Sequence, residues 1–157
     1  APTGRRSEAA PPPTQTGSLG TLPASALPGN AGEAYGLARE LLVNGKYAEA
    51  EAAFAQFLQA FPDAETAADA RFWYAFTLYA RNNYEDAAAS FVQYLQAAPN
   101  GPRAPEAQTR LGMALAQMGQ TRQACGAFAN LPRRYPNAPR NVRDLAAREA
   151  RALNCAA

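Results

Sequence analysis

The side chains able to do covalent or acid–base chemistry are few, and what is missing excludes more than what is present allows. Histidine does not occur in the 157 residues. That removes a His-based metal site, a Ser-His-Asp triad and a Cys-His pair. The only cysteines, Cys125 and Cys155, therefore have no imidazole to generate a thiolate nucleophile. Neighbouring acids, Glu49 with Glu51, Glu85 with Asp86 and Asp63 with Glu65, could share a proton or hold Ca²⁺. No Gly-centred loop and no further oxygen ligands accompany them, and exposed helix faces account for them. Arg133 and Arg134 beside Tyr135 could touch a phosphate, but two arginines make a small nucleic-acid footprint. The expectation is a non-enzyme with no catalytic residue, no metal, no cofactor and no nucleic-acid partner.

An aromatic set is the stronger feature. Phe72, Phe76 and Tyr79 fall at i, i+4 and i+7, one stripe of a helix. Trp73 and Tyr74 fall on other faces and are expected to pack between helices. Such a stripe is either core or a binding surface, and the choice depends on how the elements stack.

Those elements recur. Tyr47 to Asp63 reads YAEAEAAFAQFLQAFPD, Tyr84 to Asn100 reads YEDAAASFVQYLQAAPN, and Thr121 to Asn137 reads TRQACGAFANLPRRYPN. At a fixed period Ala50, Ala87 and Ala124 align, then Phe54, Phe91 and Phe128, then Pro62, Pro99 and Pro136. Self-similarity at one period marks stacked units that cannot bury their apolar faces alone. The apolar fraction of 48% comes largely from alanine, and β-branched residues are scarce, so the chain reads as all-α.

Apolar periodicity starts near Ala31, with Tyr35, Ala38, Leu41 and Leu42 on one face, and stops at Asn44-Gly45. A partner helix runs from Tyr47 to about Ala60. The second pair spans about Glu65 to Arg81 and Tyr84 to Ala97, around a turn at Asn82-Asn83. The third runs from Pro102 or Arg103 to Met118, turns at Gly119-Gln120, and resumes at Thr121. Pro132 replaces Leu58 and Leu95 of the earlier units, so the sixth helix is expected to end near Asn130. A last helix, about Pro139 to Asn154, carries charge over much of its surface and reads as the cap of the stack. The domain reading is repeats at 31–64, 65–101 and 102–138, with the cap at 139–154.

Residues 1–30 are rich in Pro, Gly, Ser and Thr and have almost nothing to bury, so they read as a disordered linker. No run approaches the length of a membrane span. No charged-then-apolar leader opens the chain and it does not begin with Met, which reads as a mature product or a fragment. The charge is polarised: residues 31–100 carry four basic and nine acidic side chains, residues 101–157 nine basic and three acidic. This asymmetry could orient a partner along the molecule.

Helix pairs with A-x3-F followed eight residues later by Pro resemble tetratricopeptide repeats. Ala38, Ala75 and Gly112 then take the small position of each first helix, and the usual tryptophan position holds Ala34, Arg71 and Gln108. The long period, the FPDA and YPNA closes at Phe61 and Tyr135, the FWYA run at Phe72, the Leu19 to Pro23 stretch and the terminal Cys155 are similar to one subfamily. It is the periplasmic cell division coordinator family of the Tol-Pal system. That resemblance implies a periplasmic, non-enzymatic adaptor coordinating outer-membrane constriction with septal peptidoglycan synthesis. It implies as partners an inner-membrane Tol protein and a peptidoglycan synthase, with no direct membrane insertion. It also implies a signal peptide and an oligomerising coiled coil beyond this sequence. Outer-membrane assembly adaptors use similar repeats, and a repeat region of a cell-wall enzyme is the alternative from another class.

In tetratricopeptide geometry, matching positions of the first helices line a concave groove. The resemblance thus assigns to it Tyr35, Arg39 and Leu42 from the first unit, Phe72, Phe76 and Tyr79 from the second, and Thr109, Met113 and Ala116 from the third. Arg39 and Asp69 would form its polar rim. Leu41, Leu78 and Leu115 with Phe54, Phe91 and Phe128 would supply the core; the competing reading is that the stripe itself is core. In a chain whose resemblance implies export, two cysteines near a domain's end imply a disulfide between Cys125 and Cys155, against the alternative of a small core residue plus a free thiol.

Overall fold

The computed structural model describes residues 27–156. The linker expected over residues 1–30 lies outside them except for its last four, of which Leu27 packs against the first core cluster. Among the described residues the order is α1 (Ala31–Val43), α2 (Tyr47–Ala60), α3 (Ala67–Ala80), α4 (Tyr84–Ala97), α5 (Ala104–Gln117), α6 (Thr121–Arg134) and α7 (Arg140–Ala152). Each helix packs on its chain neighbours, α3 also touches α5, and α5 touches α7. The protein is all-α: three helix pairs and a capping helix.

One turn geometry sets the register of all three pairs. Gly45, Asn82 and Gly119 occupy equivalent positions with φ of 76°, 66° and 80°. After each, a backbone N–H folds back onto a leucine carbonyl: Lys46 onto Leu41, Asn83 onto Leu78 and Gln120 onto Leu115, each at 2.9 Å. This left-handed closure satisfies carbonyls at the helix end, and Gly or Asn adopts it at least cost. It reverses the chain within three residues and lays each second helix against its first.

Small residues set the spacing between paired helices. Ala38, Ala75, Ala50, Ala87 and Ala124 are fully buried. A Cβ on Gly112 would meet the Phe128 ring at 2.6 Å, so that α5–α6 contact admits no side chain. Phe54, Phe57, Phe72 and Phe91 are fully buried, each contributing about 1.5–3 kcal/mol of transfer free energy. They divide into two clusters, one built on α1, α2 and the start of α3, the other running from α3 to α7. Trp73 and Tyr74 pack against both. At the usual tryptophan position, buried Gln108 donates from Nε2 to the Ala127 carbonyl at 2.9 Å, tying α5 to α6.

The sixth helix corrects the sequence expectation. It continues through Pro132 to Arg134 instead of ending near Asn130. Pro132 is exposed and removes one helical hydrogen bond, at a cost of about 3 kcal/mol in a helix interior. Buried Leu131, the Tyr135 N–H donating to the Leu131 carbonyl at 2.8 Å, and the Tyr135 hydroxyl donating to the Pro99 carbonyl at 2.8 Å hold the final turn in place. Tertiary packing outweighs the local penalty.

At the end of α7 the left-handed closure recurs. Asn154 has φ 58°, and the Cys155 N–H donates to the Ala150 carbonyl at 2.9 Å. The fold-back brings Cys155 onto α6, where its Sγ is bonded to that of Cys125 at 1.98 Å, with the Cα atoms 5.5 Å apart. Between α6 and α7 remains an apolar cleft of about 200 Å³, walled by Phe128, Ala129, Pro132, Ala147, Ala150 and the disulfide.

Candidate protein-binding face

The functional candidate lies where α1, α3 and α5 stand side by side. Trp73, from the middle of α3, is held between two guanidinium groups. Arg39 of α1 lies 4.7 Å from the ring centroid and Arg103, at the start of α5, lies 4.5 Å from it. Arg103 also covers Phe72 at 5.4 Å, and Arg110 of α5 covers Phe76 at 4.8 Å. Phe72, Trp73 and Phe76 meet edge to face along α3, at 5.0 and 5.5 Å. Each cation–ring contact contributes about 0.5–2 kcal/mol, more where water is excluded. The result is a row of alternating cations and rings running across three repeat units.

Asp69 organises the charges. Its Oδ1 accepts from Arg103 Nε at 3.2 Å, and its Oδ2 accepts from the Tyr35 hydroxyl at 3.4 Å. The Tyr35 oxygen in turn accepts from Arg39 Nη1 at 3.5 Å. Arg110 donates to Glu106 at 3.0 Å, one helical turn away. The donors still outnumber the acceptors: Arg39 Nε and Trp73 Nε1 are buried and have no hydrogen-bond partner.

Arg103 is positioned from below. The Tyr94 hydroxyl accepts from the Arg103 backbone N–H at 3.2 Å, pinning the first turn of α5 to α4. Gly101 makes room for it, since a Cβ there would meet that oxygen at 2.8 Å. Burial pushes the Tyr94 hydroxyl above its ordinary pKa of 10.0, with the Arg103 N–H pulling partly back, so it stays protonated at neutral pH.

The expected groove residues divide. Tyr35, Arg39 and Asp69 come together as described, and Phe76 lies half-buried under Arg110. Phe72 and Leu42 are corrections to the groove expectation. Phe72 is fully buried against Phe91 and Tyr94, each at 5.8 Å, and forms the floor beneath Arg103. Leu42 is 8% exposed and belongs to the first core cluster. Thr109 is fully buried, its hydroxyl donating to the Pro105 carbonyl at 3.0 Å. Tyr79 pairs edge-on with Tyr84 at 5.2 Å, and Met113 packs against the second core cluster. Leu41 and Leu115, assigned to the core alongside Leu78, are only half-buried. Of the aromatic stripe, Phe72 is therefore core, while Phe76 and Tyr79 are half-buried.

Trp73, Arg103 and Arg110 are the residues that sequence reasoning missed. One signal was available: Arg39 and Phe76 share a repeat register, so adjacent units place a cation beside rings. Among the described residues no group of three or more His, Cys, Asp or Glu could hold a metal ion. No helix among them is long and apolar enough to cross a membrane.

Two family models, both described as tetratricopeptide repeat, match the chain, one over residues 35–102 and the other over 106–138. Comparison with curated proteins found no match. The first match spans the pairs α1–α2 and α3–α4, and the second covers α5–α6. Repeats of this kind serve as scaffolds for protein–protein contact. The chain is a tetratricopeptide-repeat protein.

Proposed function

We propose that this protein is a periplasmic adaptor of the Tol-Pal system, coordinating outer-membrane constriction with septal peptidoglycan synthesis. Its cation–ring face would hold a segment of an inner-membrane Tol protein, with a peptidoglycan synthase as a second partner. The observation that carries the binding role is the donor-rich face itself. It offers three guanidinium groups and a half-buried tryptophan, whose partly exposed edges an incoming carboxylate or peptide carbonyl could meet. Flat, rigid rings and arginines are the side chains that dominate interface energetics. The FPDA, YPNA and FWYA runs support the Tol-Pal assignment by resemblance. The Cys125–Cys155 bond suits an oxidising compartment.

Trp73 is the sole tryptophan, so its fluorescence reports on this face alone. Titrating in the periplasmic region of the Tol partner should change that emission saturably. Arg103→Ala should weaken binding by about tenfold or more, on the order of 1.4 kcal/mol. Glu49→Ala with Glu85→Ala, on the second helices, should leave it unchanged. Absence of any saturable response in the wild type would remove the Tol assignment. A normal response in Arg103→Ala would move the contact to another surface.

A further inference from the structure

The α6–α7 cleft is unlike the other helix junctions, because among the described residues no following helix covers it. Its lining is alanine-rich and apolar, and about 200 Å³ stays open. An apolar cavity of roughly 150 Å³ accepts a benzene ring, so this one has room for an aliphatic side chain. Its setting is cationic: Arg143 lines it, and Arg140, Arg148 and Arg151 share α7 with only Asp144 and Glu149. An occupant with matching chemistry would carry an exposed aliphatic group beside a carboxylate.

The other end of the same chain has that chemistry. Val43, the last residue of α1, is 73% exposed, the highest value among the exposed large apolar side chains. It shares a stripe with exposed Glu40 and Gly36, on the side of α1 opposite buried Ala34 and Ala38. A Cβ on Gly36 would meet nothing within 4 Å, so this side of α1 is open to a neighbour. The charges complement on the larger scale as well, with net −5 over residues 31–100 and net +6 over residues 101–157.

We propose that a second copy of this chain docks the C-terminal end of its α1 in the α6–α7 cleft, joining molecules head to tail. Val43 fills the alanine-lined space, and Glu40 faces Arg143. The two surfaces differ, so the contact is heterologous and leaves one cleft and one α1 free on every pair. Assembly then grows with concentration instead of stopping at a closed dimer. Exposed charges steer it, so salt opposes it.

Sedimentation velocity on the 157-residue chain over a dilution series tests this. The mean sedimentation coefficient should rise with concentration at low salt and fall back to the monomer value at high salt. Val43→Gln and Ala147→Glu, both at exposed positions, should each weaken association about tenfold or more with an unchanged melting temperature. Mixed together, the two variants should form a one-to-one pair and nothing larger, since the first keeps an intact cleft and the second an intact α1. A wild type that stays monomeric at every concentration overturns the proposal and leaves the cleft to another protein. A mixture that stays monomeric while the wild type assembles also overturns it, because the contact would then use other faces.

Discussion

The α4–α5 junction and the α6–α7 junction are the same step of the repeat, built with different means. At the first, Tyr94 is 1% exposed, its hydroxyl holds the Arg103 N–H, and α6 packs over α5 from the next unit. At the second, the equivalent position is Leu131, the position after it is Pro132 instead of Leu95, and no second helix follows among the described residues. A cleft remains there, and the Cys125–Cys155 bond crosses its edge. A stack of repeats closes each junction with the next unit, and among the described residues the α6–α7 junction has none. Here the closing device is covalent.

The largest expected effect breaks the closed side. Phe72→Ala removes a fully buried ring that meets Phe91, Trp73 and Tyr94, and should destabilise by about 3–5 kcal/mol in urea unfolding. A loss below about 1 kcal/mol would mean that the middle of the stack is loosely packed. Next comes the open side. Cys125→Ser with Cys155→Ser should cost roughly 2–4 kcal/mol, the constraint lost from a loop of this size. Hydrogen exchange should speed up first in α7, with α3 and α4 unchanged; uniform acceleration would show one cooperative unit instead of separable ends.

A smaller gain would sharpen the contrast. Pro132→Leu restores the side chain that Leu58 and Leu95 supply and returns an N–H to α6. It should stabilise by about 1–3 kcal/mol, less than the full proline penalty because the turn is already held by Tyr135. The smallest effect is alkaline. Burial raises the Tyr94, Tyr79 and Tyr74 hydroxyls above 10.0 in the folded chain. A folded pKa above the unfolded one gives stability that is complete below about pH 10 and fades as pH rises through the folded value. The melting temperature should therefore drop above pH 10, and Tyr94→Phe should reduce that drop.

How much of this was legible follows from where each signal sits. Helix pairs were readable because Gly45, Asn82 and Gly119 punctuate the chain at one register, and Tyr84 to Ala97 came out as expected. The length of α6 was not, because Leu131 and Tyr135 anchor its last turn through Pro99, a contact thirty-six residues away. The face was half legible. Phe76, Arg39, Tyr35 and Asp69 follow from repeat geometry, whereas Phe72 and Leu42 needed the depth of neighbouring rings to be known. The roles of Trp73, Arg103 and Arg110 arise between units, and a periodicity within one helix cannot report a contact made with the next.

The disulfide also fixes how the molecule carries mechanical load. A pull on the C-terminus enters the chain at Cys155 and crosses the bond to Cys125, so tension reaches α6 and bypasses α7 entirely. The 30-residue separation it spans represents about 100 Å of contour length that cannot pay out while the bond is intact. In a force spectrometer the oxidised protein should unfold to a contour shorter by that amount than the reduced one. The stack would then yield outside the bridged loop, and the capping helix would bear no load while the bond is intact.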